Sequence, residues 1–316
     1  MHRPRRSRLG VGALMIGIPA SAFALAASQA HALPTAGAAK IHPQSRQIAY
    51  GHNVIVNGTA SPSDAGHTLA LEYARRGANT WSQLGSTTVG SSGAFRLAAP
   101  LAQSGLVRVV DTSSQSLTPF VAPGGGDSAA TSAPVTVDVA ARMRVPAHSI
   151  SANAGQPVRV RGRLLPAVAG RKVSLEGLQN GSWHTLASAR TRSGGRFVLR
   201  YVPASAGQEP IRVKFGGDGR NSRSTAHAGQ MTVYRAAVAS WYEDGGNTAC
   251  GFHAQYGVAN RTLPCGTKVA FRYGGHSVTA TVDDRGPYVG GRDWDLDQTT
   301  AGALGFGGVG QVWSSQ

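Results

Sequence analysis

The chain has 316 residues, a formal net charge of +16, 42 glycines, 16 prolines and only 15% charged residues. So much glycine and proline excludes a protein built of long helices and favours short strands joined by turns. From Ala236 onward seven acidic residues face five basic ones, a formal −2 that leaves +18 on the preceding part, which excludes one uniform nucleic-acid-binding surface. A basic body of this kind suits the polyanionic polymers of a cell envelope, and it equally suits solubility alone. The length allows two or three domains.

The N-terminus reads as a targeting segment. Four arginines lie within the first eight residues, an apolar run follows from Val11 to Ala27, and Ala30-His31-Ala32 supplies a small-x-small cleavage pattern. A signal peptide over 1–32 is expected, followed by a linker over 33–44. Gly, Pro and Ser inside the run argue against a permanent anchor. No later stretch is apolar enough to span a bilayer, so no stable membrane span is expected after cleavage.

The middle of the chain repeats. Val54-Ile-Val-Asn-Gly58 matches Val158-Arg-Val-Arg-Gly162, and Leu69-Ala-Leu-Glu72 matches Val173-Ser-Leu-Glu176, both at an offset of 104. Trp81 and Trp183 then match at an offset of 102, as do Gly93-Ala-Phe95 and Gly195-Arg-Phe197. Each copy is a series of short alternating segments broken by Gly, Ser and Asn. That is the pattern of a β-sandwich of roughly 100 residues. Each copy resembles a bacterial immunoglobulin-like domain, over 45–138 and 146–235. The tryptophans are expected as core anchors in preference to sugar platforms. Residues 121–134, rich in Gly, Ala and Ser, read as a flexible loop or part of a linker.

From 238 to 316 the text changes. Cys250 and Cys265 are the two cysteines of the chain, and an even pair in an exported protein reads as one disulfide. Asp297 can cap a short helix formed by Thr299-Thr-Ala-Gly-Ala-Leu304. Asp293, Asp295 and Asp297 alternate, but no Gly-x5-Glu follows, so a calcium loop is not indicated. No bound metal or other cofactor is expected.

Ser240-Trp-Tyr242, Thr248-Ala-Cys-Gly251, Arg261-Thr-Leu-Pro-Cys-Gly-Thr267, Asp284-Arg-Gly-Pro287 and Asp295-Leu296 occur in this order. Together they resemble the rare lipoprotein A (RlpA-like) family, in the two-cysteine form of exported actinobacterial proteins. The resemblance covers about a quarter of the chain. It implies an all-β protein in which two immunoglobulin-like sandwiches precede a six-stranded double-psi β-barrel, the barrel that expansins and family-45 endoglucanases also use. It further implies a septal-ring-type lytic transglycosylase that cleaves peptidoglycan strands lacking stem peptides. The alternative it leaves open is a non-cleaving, expansin-like binder of peptidoglycan or another wall glycan. The matched motifs nominate Asp284 and Asp295 as catalytic, and Trp241, Tyr242, His253, Asn260, Arg285 and Tyr288 as substrate-binding. Asp283 and Asp293 are expected to be solvated. The sequence departs from the family in two places. The loop Gly251-Phe-His-Ala-Gln-Tyr-Gly-Val258 has no acid where cleaving members carry Glu, and Asn260 replaces the family histidine. Glu243 and Asp244 stand near the groove entrance by the same analogy. A secreted, wall-associated monomer that binds no nucleic acid is expected.

Overall fold

The computed structural model describes residues 39–113, 131–146, 148–243 and 245–316. The expected signal peptide lies outside these residues, as does most of the 121–134 stretch.

The first unit contains β1 (Lys40–Pro43), β2 (Gln47–Ala49), β3 (Asn53–Thr59), β4 (Thr68–Arg75), β5 (Ser82–Thr88), β6 (Ala94–Pro100), β7 (Gly105–Asp111) and β8 (Val135–Ala140). They form two sheets, ordered β1-β3-β6 and β2-β8-β7-β4-β5. Inward positions alternate with outward ones, as in β6, where Phe95, Leu97 and Ala99 are buried and their neighbours exposed. Val54, Val56, Leu71, Val107, Val109 and Val137 meet them from both sheets in one core, so the unit is a β-sandwich. Strand β1 lies inside the 33–44 stretch expected as a linker. Its Lys40–Pro43 backbone pairs with Val56–Thr59, and that ladder, which composition does not reveal, moves the start of the sandwich forward.

The second unit repeats this layout. It contains β9 (Arg142–Arg144), β10 (Ile150–Asn153), β11 (Val158–Leu165), β12 (Lys172–Gln179), β13 (Ser182–Arg190), β14 (Arg196–Tyr201), β15 (Gly207–Phe215) and β16 (Ser224–Tyr242). One sheet runs β14-β11-β9, and the other runs β13-β12-β15-β16 with β10 parallel to β16. Every pairing has its counterpart in the first unit, down to the parallel partner of the last strand (β2 with β8, β10 with β16). The repeat also explains one glycine pair. A side chain on Gly58 would enter the ring of Phe95, and one on Gly162 the ring of Phe197.

The tryptophans are not core anchors. Trp81 and Trp183 are half-buried on the outer face, each under an arginine guanidinium 4.0 Å from the ring centre, Arg108 and Arg212 respectively. Each arginine also pairs with the repeat's glutamate, Arg108 with Glu72 at 2.8 Å and Arg212 with Glu176 at 2.7 Å. An aromatic ring under a paired cation is satisfied without burial.

The sandwiches are joined by the turn between β15 and β16. Asn221 is fully buried there and donates to the carbonyls of Ala102 and Val139 in the first unit. Arg171 fixes the same turn through Asp218 at 2.8 Å and Asn221 at 3.1 Å, and it stacks on Phe215.

Strand β16 is 19 residues long and crosses the boundary expected near 235–238 without a break. Its first part pairs with β15 and β10. Its last part is the first strand of a closed six-stranded barrel with β17 (Gly257–Ala259), β18 (Lys268–Tyr273), β19 (His276–Asp284), β20 (Trp294–Asp297) and β21 (Gly310–Ser314). The ring runs β16-β20-β17-β19-β18-β21 and returns to β16. Two of its pairings, β16 with β20 and β17 with β19, are parallel. Trp294 fills the interior edge-on to Phe271, with Leu296, Val258, Val282 and Leu304 around it. Helix α1 (Gln298–Leu304) is capped by Asp297, whose side chain accepts from the Thr300 N–H, and ends on Gly305 in the left-handed conformation. Between the units, Arg272 of β18 stacks on Tyr234 and donates to Asn153, and Gln208 donates to Ser315.

Because β16 serves both units, a core cavity in one should be felt in the other. Met231→Ala, at a fully buried position of β16, is expected to cost about 2–5 kcal/mol. Denaturant melts followed by strand signal and by the barrel tryptophans should shift together. A barrel transition left at its wild-type midpoint would show that the strand does not couple them.

Candidate functional site

The barrel's outer face is organised by a bulge. Val258 of β17 pairs with Val282, and Ala259 with Asp284, which leaves Asp283 as the extra residue of β19. Ala259 also pairs with Asp295 of β20, and Asp295 with Ser240 of β16. Ser240, Asp295, Ala259 and Asp284 thus form one lateral row across four strands. The two carboxylates stand two strand spacings apart, about 10 Å between Cα atoms. Both are half-buried.

Each carboxylate in the row accepts a hydrogen bond from the protein. Asp284 accepts from the Ala249 N–H at 2.8 Å, and Asp295 from the Ser240 hydroxyl at 2.7 Å. Ala249 is held by its neighbour. Cys250 and Cys265 form the expected disulfide, with Cα atoms 5.8 Å apart, and the Cys250 N–H donates to the Asp283 carbonyl. The bridge ties the 245–256 loop to the turn before β18, and the Cys250 N–H bond ties it to the strand that carries Asp284.

Asp283 is not solvated; it is 1% exposed. Its carboxylate reaches under the loop and accepts from the N–H groups of Ala254 at 2.9 Å and Val258 at 3.1 Å. A side chain at Gly257 would occupy the space this carboxylate fills. Burial pushes the Asp283 carboxyl above the usual aspartate range. The two backbone donors oppose that rise, and the nearby Asp297 charge adds to it. Asp297, also buried, accepts from Gly257 N–H at 2.8 Å besides capping α1. Asp293 is half-exposed and not simply solvated. It accepts from the Val238 N–H at 2.9 Å and lies 3.4 Å from Arg235. Alternation along β19 hides Asp283's role because its donors come from residues some 25 positions away.

The nominated binding residues separate into two groups. Trp241 is 39% exposed and Tyr288 is 83% exposed, the latter beyond the Gly286-Pro287 turn. Gly286 has φ of 136°, a conformation that suits a residue without a side chain. The others are engaged with the fold. Asn260 accepts from the N–H groups of Thr262 and Leu263, the geometry of a turn. Arg285 donates to the Asn260 carbonyl at 3.0 Å and contacts the Cys265 sulfur at 3.0 Å. His253 is exposed, and its Nε2 donates to the Gly246 carbonyl at 2.6 Å. Tyr242 closes β16 and is half-buried. Glu243 follows it, exposed, and Asp244 lies outside the described residues. One positioning residue escapes sequence reasoning: Arg261 donates to the Pro287 carbonyl at 2.7 Å and holds the turn after Asp284. Its place in the Arg-Thr-Leu-Pro motif was the available signal.

The two adjacent aspartates should behave oppositely when amidated. Asp284→Asn keeps an oxygen for the Ala249 N–H and should change stability by less than about 0.5 kcal/mol. Asp283→Asn must turn an NH2 toward one of two N–H donors and should cost about 1–3 kcal/mol. Because the folded-state pKa of Asp283 lies above its ordinary 3.8, the native state binds the extra proton, and this group's contribution to stability grows as pH falls. The deficit of Asp283→Asn against wild type should widen on acidification from neutral pH toward 3.8. A constant or shrinking deficit in denaturant titrations would contradict this.

Residues 234–313 match a family model described as lytic transglycolase. A curated relative, the probable endolytic peptidoglycan transglycosylase RlpA of Synechocystis, is 41% identical over 88 residues, which cover 25% of this chain and 27% of the relative. The chain therefore matches about a quarter of that relative's length. Among solved structures, one titled for T cell specificity and activation by the bacterial superantigen toxic shock syndrome toxin-1 contains a chain covered to 98% by 29% of this one. The identity is 12% and the TM-score 0.25, too slight a likeness to bear on the fold. With the closed six-stranded ring and its motif order, the family match makes the C-terminal unit of this chain an RlpA-like double-psi β-barrel domain.

Proposed function

We propose that this is an exported wall protein whose barrel remodels peptidoglycan as a lytic transglycosylase, acting on strands that lack stem peptides. The observation that carries the reading is the Ser240-Asp295-Ala259-Asp284 row on the outer face of an RlpA-like barrel. Export agrees with the disulfide. On this reading the two immunoglobulin-like sandwiches, expected over 45–138 and 146–235, start earlier, at β1 and β9, and the barrel expected over 238–316 is the working unit. Asp284 is fixed by the Ala249 N–H and by the Arg261-supported turn that follows it. It protonates the glycosidic oxygen as the C1–O bond breaks, then takes the proton of the C6 hydroxyl as that oxygen closes on C1. The product is an anhydro sugar, and no water is consumed. Asp295, held by Ser240, stabilises positive charge developing at C1. Tyr288 offers an exposed ring to a sugar face, while Trp241, paired with Leu296, lies on the opposite side of β16 from the row.

A second reading has its own support. The 251–258 loop carries no acid, so the barrel would bind glycan without cutting it. Digestion of peptide-free glycan strands separates the two. Release of anhydro-ended fragments by wild type, lowered by about 10²-fold or more in Asp284→Asn and less in Asp295→Asn, supports cleavage. Sedimentation with the strands and no product from either protein supports the binder.

A further inference from the structure

The outward face of β9, β11 and β14 in the second sandwich is almost entirely arginine. On β9 it shows Arg142 and Arg144, on either side of the inward Met143. On β11 it shows Arg159, Arg161 and Arg163, alternating with buried Val158, Val160 and Leu164. On β14 it shows Arg196 and Arg200, with Val198 between them. All seven arginines are exposed, and these three strands contain no acidic residue. They also stand opposite one another: Arg163 pairs with both Arg144 and Arg196, and Arg159 with Arg200. Like charges in cross-strand register destabilise a sheet, so folding alone does not favour this pattern.

The first sandwich supplies an internal control. Its equivalent strands carry Ile55, Asn57 and Thr59 where β11 has Arg159, Arg161 and Arg163, and Ala94 and Ala98 where β14 has Arg196 and Arg200. The equivalent face of the first sandwich keeps two cations, Arg96 on β6 and Lys40 on β1, so the same sheet forms with two where the second copy has seven. Most of the arginines are therefore a property of this copy, not of the sandwich. At the β9 edge of this face a depression of about 540 Å³ opens between the two sheets, lined by the inward Met143 and by Ala226 of β16 and rimmed by Arg144, Arg161 and Arg163.

We propose that this arginine face is a docking surface for a linear phosphodiester polymer of the cell wall, a polyol phosphate chain, and that it tethers the protein there. Successive outward arginines on a strand are about 6.8 Å apart and neighbouring strands about 4.8 Å apart. A compact chain with one phosphate per short polyol unit can meet that grid step by step. Seven arginines and no lysines suit oxyanions that accept the guanidinium fork. The choice of a wall polymer rests on the proposed wall-directed function; the charged face itself does not.

The probe is polyglycerol phosphate, and the readout is equilibrium binding, which does not require any glycan to be cleaved. In the variant Arg161→Asn, Arg163→Thr, Arg196→Ala, Arg200→Ala, each residue takes the identity found in the first repeat. Its affinity should fall at least about tenfold and its salt slope by roughly 3, with a melting midpoint at or above that of wild type and unchanged digestion of peptide-free glycan. Replacing the same four by lysine should keep most of the salt slope and lose part of the affinity. Unchanged binding by the neutral variant overturns the proposal. So does a tighter wild-type complex with a single-stranded oligonucleotide or with polygalacturonate of equal charge. If wild type and Asp284→Asn both fail to cleave glycan yet bind polyglycerol phosphate equally, the cleavage reading fails and the tether stands.

Discussion

One strand carries the architecture. β16 runs from Ser224 to Tyr242 as the closing strand of a sandwich and the opening strand of a barrel. Its partners change along its length, from β15 and β10 to β21 and β20. No flexible joint separates the units, because every residue at the crossing spends its backbone on a neighbouring strand. Arg272, lying on Tyr234 and bonded to Asn153, closes the same corner with side chains. The orientation of the barrel's carboxylate row relative to the β13-β12-β15-β16 sheet is therefore set by hydrogen-bond register.

The row itself depends on what lies underneath. Asp283 and Asp297 are buried acceptors for backbone N–H groups of Ala254, Val258 and Gly257. They hold β17 and the disulfide-bound loop in place. Asp284 then receives its own donor, Ala249, from that loop. Of five aspartates within fifteen residues, two organise backbone from inside, one pins the neck between units, and two remain half-exposed on the face.

Much of this was legible in the sequence. The period-2 pattern and the Gly-x-Phe landmarks announced two copies of one sandwich, and the motif order announced the barrel. The disulfide and the Asp297 cap followed from local chemistry. What escaped had distant causes. Asp283 looks solvated unless the donors at 254 and 258 are known to reach it. Trp81 and Trp183 look like core until Arg108 and Arg212, more than 25 residues away, are seen above their rings. The boundary near 235 left no mark because alternation continues across it. Asn260 and Arg285, nominated from motif position, turn out to spend their polar atoms on turns and carbonyls.

The joined sheet also has a mechanical meaning. A wall polymer under tension pulls on whatever grips it at two points. A pull between the second sandwich and the barrel would run along β16, parallel to its axis and across its hydrogen bonds. Nine register pairs with β15 and five with β21 would then be loaded together in shear, not opened one at a time. A glycine-rich tether at the same place would stretch first and let the units part. Here the protein would meet such a load as a stiff bar, and the spacing between grip and working face would be preserved.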